Sequence, residues 1–182
     1  MDCLVLHPAD PLAAPEPRGV VAALAQLGLV AARPAPDGWH APGPAFMELI
    51  TFLGCSPTLA TEGPAAIRIL VGTPARQPRL RAGANTLAPR CPHCRHRAGD
   101  WTPVVRAWRS APRDATWECQ ACGRAVGAAE LDWRHAAGVA RTFIDVRGVH
   151  PAEAVPGERL LAGLAAQSGG PWRFFYLRDE PA

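Results

Sequence analysis

Two short motifs dominate the chemistry available to this chain. Cys91-Pro92-His93-Cys94 and Cys119-Gln120-Ala121-Cys122 each place two thiols three positions apart, with 24 residues between the motifs. A tight C-x2-C turn presents two thiolates to one ion, with backbone amides supporting them. Two such turns at the tips of two hairpins complete a tetrahedron of soft ligands, the arrangement zinc prefers. The expectation is one structural zinc per chain, held by Cys91, Cys94, Cys119 and Cys122. Iron would fit the same four thiolates. His93 and His96 stand close enough to compete as ligands, but four sulfurs already fill the shell.

On these residues the stretch 85–127 resembles the zinc-ribbon superfamily, and its knuckles are similar to rubredoxin-like sites. Gly123 follows the second pair, as the ribbon pattern asks, whereas Arg95 stands where the first knuckle would carry that glycine. The gap between the pairs exceeds the usual ribbon spacing, so a longer connecting arm is expected. The competing reading is a thiol redox protein, because Cys91-Pro92-His93-Cys94 is also similar to the active-site motif of thioredoxin-fold oxidoreductases. That fold starts a long helix at the second cysteine. Here Gly99 and Pro103 follow too soon, and the second pair would be left unexplained.

Cys3 and Cys55 lie in apolar surroundings and read as buried, inert thiols. Cys55 as the nucleophile of an enzyme is the alternative, and it would need a histidine that the sequence cannot place. The chain has no phosphate-loop, dinucleotide, HExxH or GxSxG motif. The expectation is therefore a binding or adaptor role, without an assigned catalytic residue.

The charge distribution points to a partner. All 19 basic residues are Arg, a pattern of GC-rich bacterial genomes, so their abundance alone says little. Their placement says more: from Arg76 to Arg124 there are ten Arg and three acids, while the rest of the chain is net acidic. Arg95, Arg97, Arg106, Arg109 and Arg113 are the candidates for contacting nucleic acid or an acidic protein surface. Trp101 and Trp108 are the candidate stacking surfaces, since aromatic rings beside Arg suit single-stranded nucleic acid. The first reading of Trp101, Trp108, Trp117 and Trp133 is nonetheless as the core of a module too small to build one otherwise, with stacking as the alternative.

Around this module the sequence predicts an α+β body. Leu4–Leu6 reads as a strand, Val20, Leu24 and Leu27 as one helical face, and Ile67, Ile69 and Val71 as an alternating strand. Phe46, Leu49, Ile50 and Leu53 follow helical spacing and predict a helix from Pro44, ended by Gly54 and Pro57. After the cysteines, Thr142, Ile144 and Val146 alternate, Leu160, Leu161 and Leu164 share a helical face before Gly169, and Trp172–Leu177 is rich in strand formers. Two βαβ-like halves forming a ferredoxin-like sandwich are the simplest closure. The expected division is 1–78 with 136–182 as the body, and 79–135 as an inserted zinc ribbon. Arg68, Leu70, Arg141, Phe143 and Arg147 would line the sheet face away from the helices, either open to a partner or covered by the insertion. The apolar runs are far shorter than the roughly 20 residues of a membrane span. No basic region precedes the first of them, so the expected compartment is the cytoplasm.

Overall fold

The structure, a computed structural model, describes residues 2–53, 63, 66–110, 116–150 and 153–178, with the side chains of Trp108 and Arg109 excepted. Cys55, Arg113 and the predicted helix stop at Gly54 and Pro57 lie outside the described residues, as do the side chains of Trp108 and Arg109. The fold is mixed α and β, with antiparallel pairing and four helices among the described residues.

The central sheet joins four strands. β1 (Asp2–Pro8) pairs with β10 (Trp172–Arg178) on one side and β8 (Ile144–Arg147) on the other; β8 also pairs with β3 (Arg68–Val71). The order is β10-β1-β8-β3, and every neighbouring pair is antiparallel. Because β1 and β3 both oppose β8, they run in the same direction without touching. The same holds for β8 and β10, which both oppose β1.

Alternation along the strands gives the sheet two unlike faces. Leu4, Leu6, Ile69, Ile144, Val146 and Tyr176 point into the main core against α1 (Pro17–Leu27) and α4 (Glu158–Ser168), which supply Val20, Leu24, Leu160 and Leu164. Leu4, Leu6, Leu24, Ile69, Leu160 and Leu164 are fully buried. At roughly 1.5–3 kcal/mol for each large aliphatic side chain, such burial is the main force holding helices to sheet. The carboxylate of Glu16 accepts a bond from the Gly19 N–H at 2.6 Å and starts α1, with Pro17 in the first turn. Gly28 ends α1 and Gly169 ends α4, both in the left-handed conformation.

The opposite face is covered. β4 (Arg79–Ala82) and β7 (Ala137–Ala140) form a two-stranded ribbon over it, and Cys3, Val5, Ala140, Phe143, Phe175 and Leu177 make a second apolar layer. Phe143 is buried rather than displayed, and Arg81 reaches from β4 to Asp145 on β8. Arg68 pairs with Asp37, and both Arg68 and Arg147 lie over the Trp39 ring. Arg141 donates to the carbonyls of Ala75 and Leu12. An open Phe/Arg sheet is thereby replaced by a sealed one.

Two sequence expectations change. The helix from Pro44 lasts only four residues, α2 (Phe46–Leu49), because Ile50 turns extended and β2 (Ile50–Phe52) pairs with β9 (Ala154–Pro156). β-branched Ile50 and Thr51 favour that pairing. Leu53, predicted on the buried stripe, is 68% exposed. The strand expected from Arg141 starts at Ile144, since Arg141–Phe143 form the bend that carries the chain from β7 to the central sheet. No helix among the described residues is long and apolar enough to cross a membrane.

Candidate metal centre

Each cysteine pair sits in a knuckle built by the same two backbone bonds. In the first, the Cys91 N–H donates to the His96 carbonyl at 2.8 Å and the Arg95 N–H to the Cys91 carbonyl at 3.0 Å. In the second, the Cys119 N–H donates to Arg124 at 2.9 Å and the Gly123 N–H to Cys119 at 2.7 Å. The second knuckle is the tip of a hairpin made by β5 (Thr116–Glu118) and β6 (Ala125–Gly127). The first is flanked by Arg90, which bridges Arg97 on one side and Asp132 on the other.

The residue after each pair needs the left-handed conformation, and the two loops meet that need differently. Gly123 has φ 68°, and Arg95 has φ 67°. An L-residue there costs about 1–2 kcal/mol, so Arg95 holds strain that Gly123 avoids. The arginine that departs from the ribbon pattern has been pressed into the glycine's geometry.

The two knuckles face each other. All four Sγ atoms lie within 4.8 Å of one another, with Cys91 to Cys122 at 3.8 Å and Cys94 to Cys119 at 3.5 Å. Metal–sulfur bonds of about 2.3 Å around a tetrahedral ion imply sulfur–sulfur edges of about 3.8 Å. The donor set and its spacing therefore fit a four-thiolate metal. Cys91 and Cys119 are fully buried, while Cys94 and Cys122 face outward.

The electrostatics ask for a cation. Desolvation would raise the Cys91 thiol, yet the backbone N–H groups of Cys94 and His93 and the neighbouring thiols outweigh it and hold the group down at about 7. At Cys94 the largest influence is the N–H of His96, which favours the thiolate. Desolvation and the other three thiols overcome it and push the group up to about 12. Without a positive ion at the centre, four sulfurs at this spacing cannot all ionise.

A small core stands behind the knuckles. Trp117, Val126, Leu131 and Trp133 pack with Cys91, Cys119 and Val105. α3 (Thr102–Ser110) follows the first knuckle and turns Val105 inward, with Val104 packed at the edge of the cluster. No helix begins at Cys94, since α3 starts eight residues later, so the arrangement of a thioredoxin-type thiol pair is not built here.

The remaining candidates divide. Arg97 and Arg106 are exposed, and Arg95 is exposed but pairs with Asp132 at 3.2 Å. Trp101 is half-buried with its ring edge-on to Trp133, centroids 5.1 Å apart. Arg124 donates to His93 Nδ1 at 2.9 Å and so ties one knuckle to the other, a contact that the spacing of residues does not announce. His93 and His96 stay outside the sulfur cluster. Cys3 is buried, and desolvation first, then Asp145, pushes its thiol up to about 12, well away from a reactive thiolate at neutral pH.

No family model matches the chain, and neither a curated protein nor a solved structure matches it.

Proposed function

We propose that this chain is a non-enzymatic binding or adaptor protein, in which one zinc held by Cys91, Cys94, Cys119 and Cys122 fixes an Arg-bearing ribbon that contacts single-stranded nucleic acid. The observation that carries the reading is the meeting of two matched knuckles at tetrahedral spacing, with exposed Arg95 and Arg97 next to the first of them. Zinc would crosslink two loops that share only a small core. Structural zinc contributes on the order of 10–16 kcal/mol in small finger peptides, more than the stability of most domains.

The body supports the same organisation. The strand order β10-β1-β8-β3, with α1 between β1 and β3 and α4 between β8 and β10, fits a ferredoxin-like sandwich of two split βαβ halves. The cysteine module then enters as an insertion between β3 and β8. Nucleic acid is favoured over an acidic protein because the module carries both exposed arginines, Arg97 and Arg106, and a half-buried tryptophan, Trp101, the two residue types that single strands use.

Metal analysis of the purified chain should read one zinc per chain, and Cys119→Ser should lose it and leave 85–127 open to protease. Anisotropy titrations with a fluorescent single-stranded RNA should weaken steeply with salt. Double replacement of Arg97 and Arg106 by Gln should lower the log–log slope by about one to two units, at about 0.7 per lost phosphate contact. An unchanged slope would remove these arginines from the interface. Binding to poly-glutamate but to no nucleic acid would assign the face to an acidic protein instead.

A further inference from the structure

Beside the first knuckle, three short segments lie edge to edge. Arg90 stands opposite Asp132, exchanging backbone bonds with it at 2.9 Å in both directions, and opposite Arg97 on its other side. Around the Arg90–Arg97 pair the neighbours make the bonds instead: the Cys91 N–H donates to the His96 carbonyl at 2.8 Å and the Ala98 N–H to the Pro89 carbonyl at 2.9 Å. Arg90 and Arg97 are therefore a non-hydrogen-bonded antiparallel pair, the closest approach two strands make, with Cα atoms about 4.5 Å apart. Side chains of such a pair leave the same face.

Burial fixes which face that is. Cys91, Ala98, Leu131 and Trp133 turn into the small core, whereas Arg90 and Asp132 are half-buried and Arg97 is exposed. The outer face thus carries the row Arg97–Arg90–Asp132. Its acid is already engaged: Asp132 Oδ2 lies 3.2 Å from Arg95 Nη1, and Oδ1 accepts the Arg134 N–H at 3.0 Å. Glu130, two residues earlier, is turned back onto the Gly127 N–H at 2.9 Å. Three arginines (Arg90, Arg95 and Arg97) against one aspartate leave the row and its neighbour at net +2.

Like charges set directly opposite each other across two strands are destabilising. Nothing in the protein offsets that here, since neither Arg90 nor Arg97 makes an ion pair or a side-chain hydrogen bond among the described residues. The Nε of Arg90 is sealed from solvent without a partner, whereas its Nη groups are neither sealed nor bonded. The stem of Arg90 is held by packing, and its tip is left with free donors beside those of Arg97.

We propose that Arg90 and Arg97 close on one phosphate group, both guanidiniums donating to it. A phosphate answers both features of the pair: its charge relieves the repulsion, and its several oxygens accept from two planar forks at once. The clamp itself rests on strand register. Taking a single strand as the source of the phosphate rests on the nucleic-acid reading above, to which the clamp adds Arg90 and makes Arg97 one half of a pair.

NMR titration of the metal-loaded full chain with dimethyl phosphate and with methyl phosphate tests the clamp directly. The Arg90 Nε–H, shielded from solvent exchange, should give a signal that shifts with the anion. Dimethyl phosphate stands for a phosphate within a strand and methyl phosphate for one at a strand end, and a shift with either supports the clamp. Arg97→Gln, an exposed change, should abolish most of the shift, and Arg159→Gln, exposed on α4, should not alter it. On single-stranded RNA, Arg90→Gln, Arg97→Gln and the double variant, at equal metal content, should each lower the log–log salt slope by about 0.7, because each loses the same phosphate. No shift with either anion, or an undiminished shift in Arg97→Gln, overturns the clamp. So does a double variant whose slope falls by about 1.4, the sum of two separate contacts. Anion shifts without RNA binding would support the clamp and remove the single strand alone.

Discussion

Replacing Arg81 should unseat the β4–β7 ribbon from the sheet it covers. Arg81 Nη1 and Nη2 donate to the two carboxylate oxygens of Asp145 at 2.5 and 3.2 Å, and the guanidinium lies 5.0 Å from the centre of the Phe143 ring. Both side chains are largely sheltered, with 28% of Arg81 and 13% of Asp145 exposed. Breaking a buried ion pair from one side costs about 3–5 kcal/mol, because the remaining charge keeps its desolvation penalty. The partial exposure of Arg81 places Arg81→Met just below that range, at about 2–3 kcal/mol. Arg81→Met with Asp145→Leu removes both charges from a pocket already lined by Leu70, Leu80 and Phe143, so the double variant should recover most of that loss. Urea unfolding of the four members of this cycle, with metal content held equal, gives the coupling directly. Additive costs, with the double variant as weak as the sum of the singles, would mean that the pair does not hold ribbon to sheet.

Two further outcomes follow from local geometry. Gly123→Ala should destabilise the metal-bound protein by about 1–2 kcal/mol, since φ is 68° and no neighbouring atom would interfere. Arg95→Gly should be nearly neutral, because relief of the same strain offsets an exposed ion pair worth up to about 1 kcal/mol; equal losses at both sites, read by chelator competition and thermal melting, would contradict the strain argument. His7 should make stability fall with acid: its folded value of about 4 lies below the unfolded value of 6.5, so unfolded chains bind the extra proton. The contribution is complete above about pH 6.5 and is lost as pH falls toward 4, by about 2 kcal/mol between pH 7 and 5. His7→Gln should flatten that slope relative to the parent, and parallel slopes would place the titration elsewhere.

What could be read from the residues depended on how far apart in sequence the partners stand. A knuckle is local. Cys91, Cys94 and Arg95 enclose themselves within a few residues, so the pairing of the cysteines into one cluster and the odd position of Arg95 were visible before any fold was known. The strands of the central sheet were also legible, because Leu4–Leu6, Ile69–Val71 and Trp172–Leu177 carry strong apolar patterns of their own. The helix at Phe46 was misjudged because four apolar residues at helical spacing fit a helix and a helix-to-strand turn equally. Ile50 is drawn out by Ala154–Pro156, about a hundred residues downstream. The β4–β7 ribbon had no readable signal, since Arg79–Ala82 is short and charged, and Ala137–Ala140 is buried at all four positions and so shows no alternation. The burial of His7 under Gly138 was hidden for the same reason, because the two residues meet only when β7 folds back over the sheet.

One clue to the covered face was nonetheless present. Asp145 interrupts the apolar strand Ile144–Val146, and an acid in the middle of a sheet needs either water or a cation. An open face would have left Phe143 and Asp145 both wet, exposing an aromatic ring for no structural gain. A covered face buries Phe143 but then requires a cation long enough to reach Asp145 from the covering strand. Arg81, 64 residues before it, meets that requirement, and its alkyl stem passes over the apolar layer while the charge reaches the acid. The same ribbon then runs through Gly138, which packs so closely on His7 and Phe175 that an added Cβ would come within 2.4 Å of the Phe175 ring. The cover is thus held at two places by opposite means, a long charged side chain at Arg81 and the absence of any side chain at Gly138.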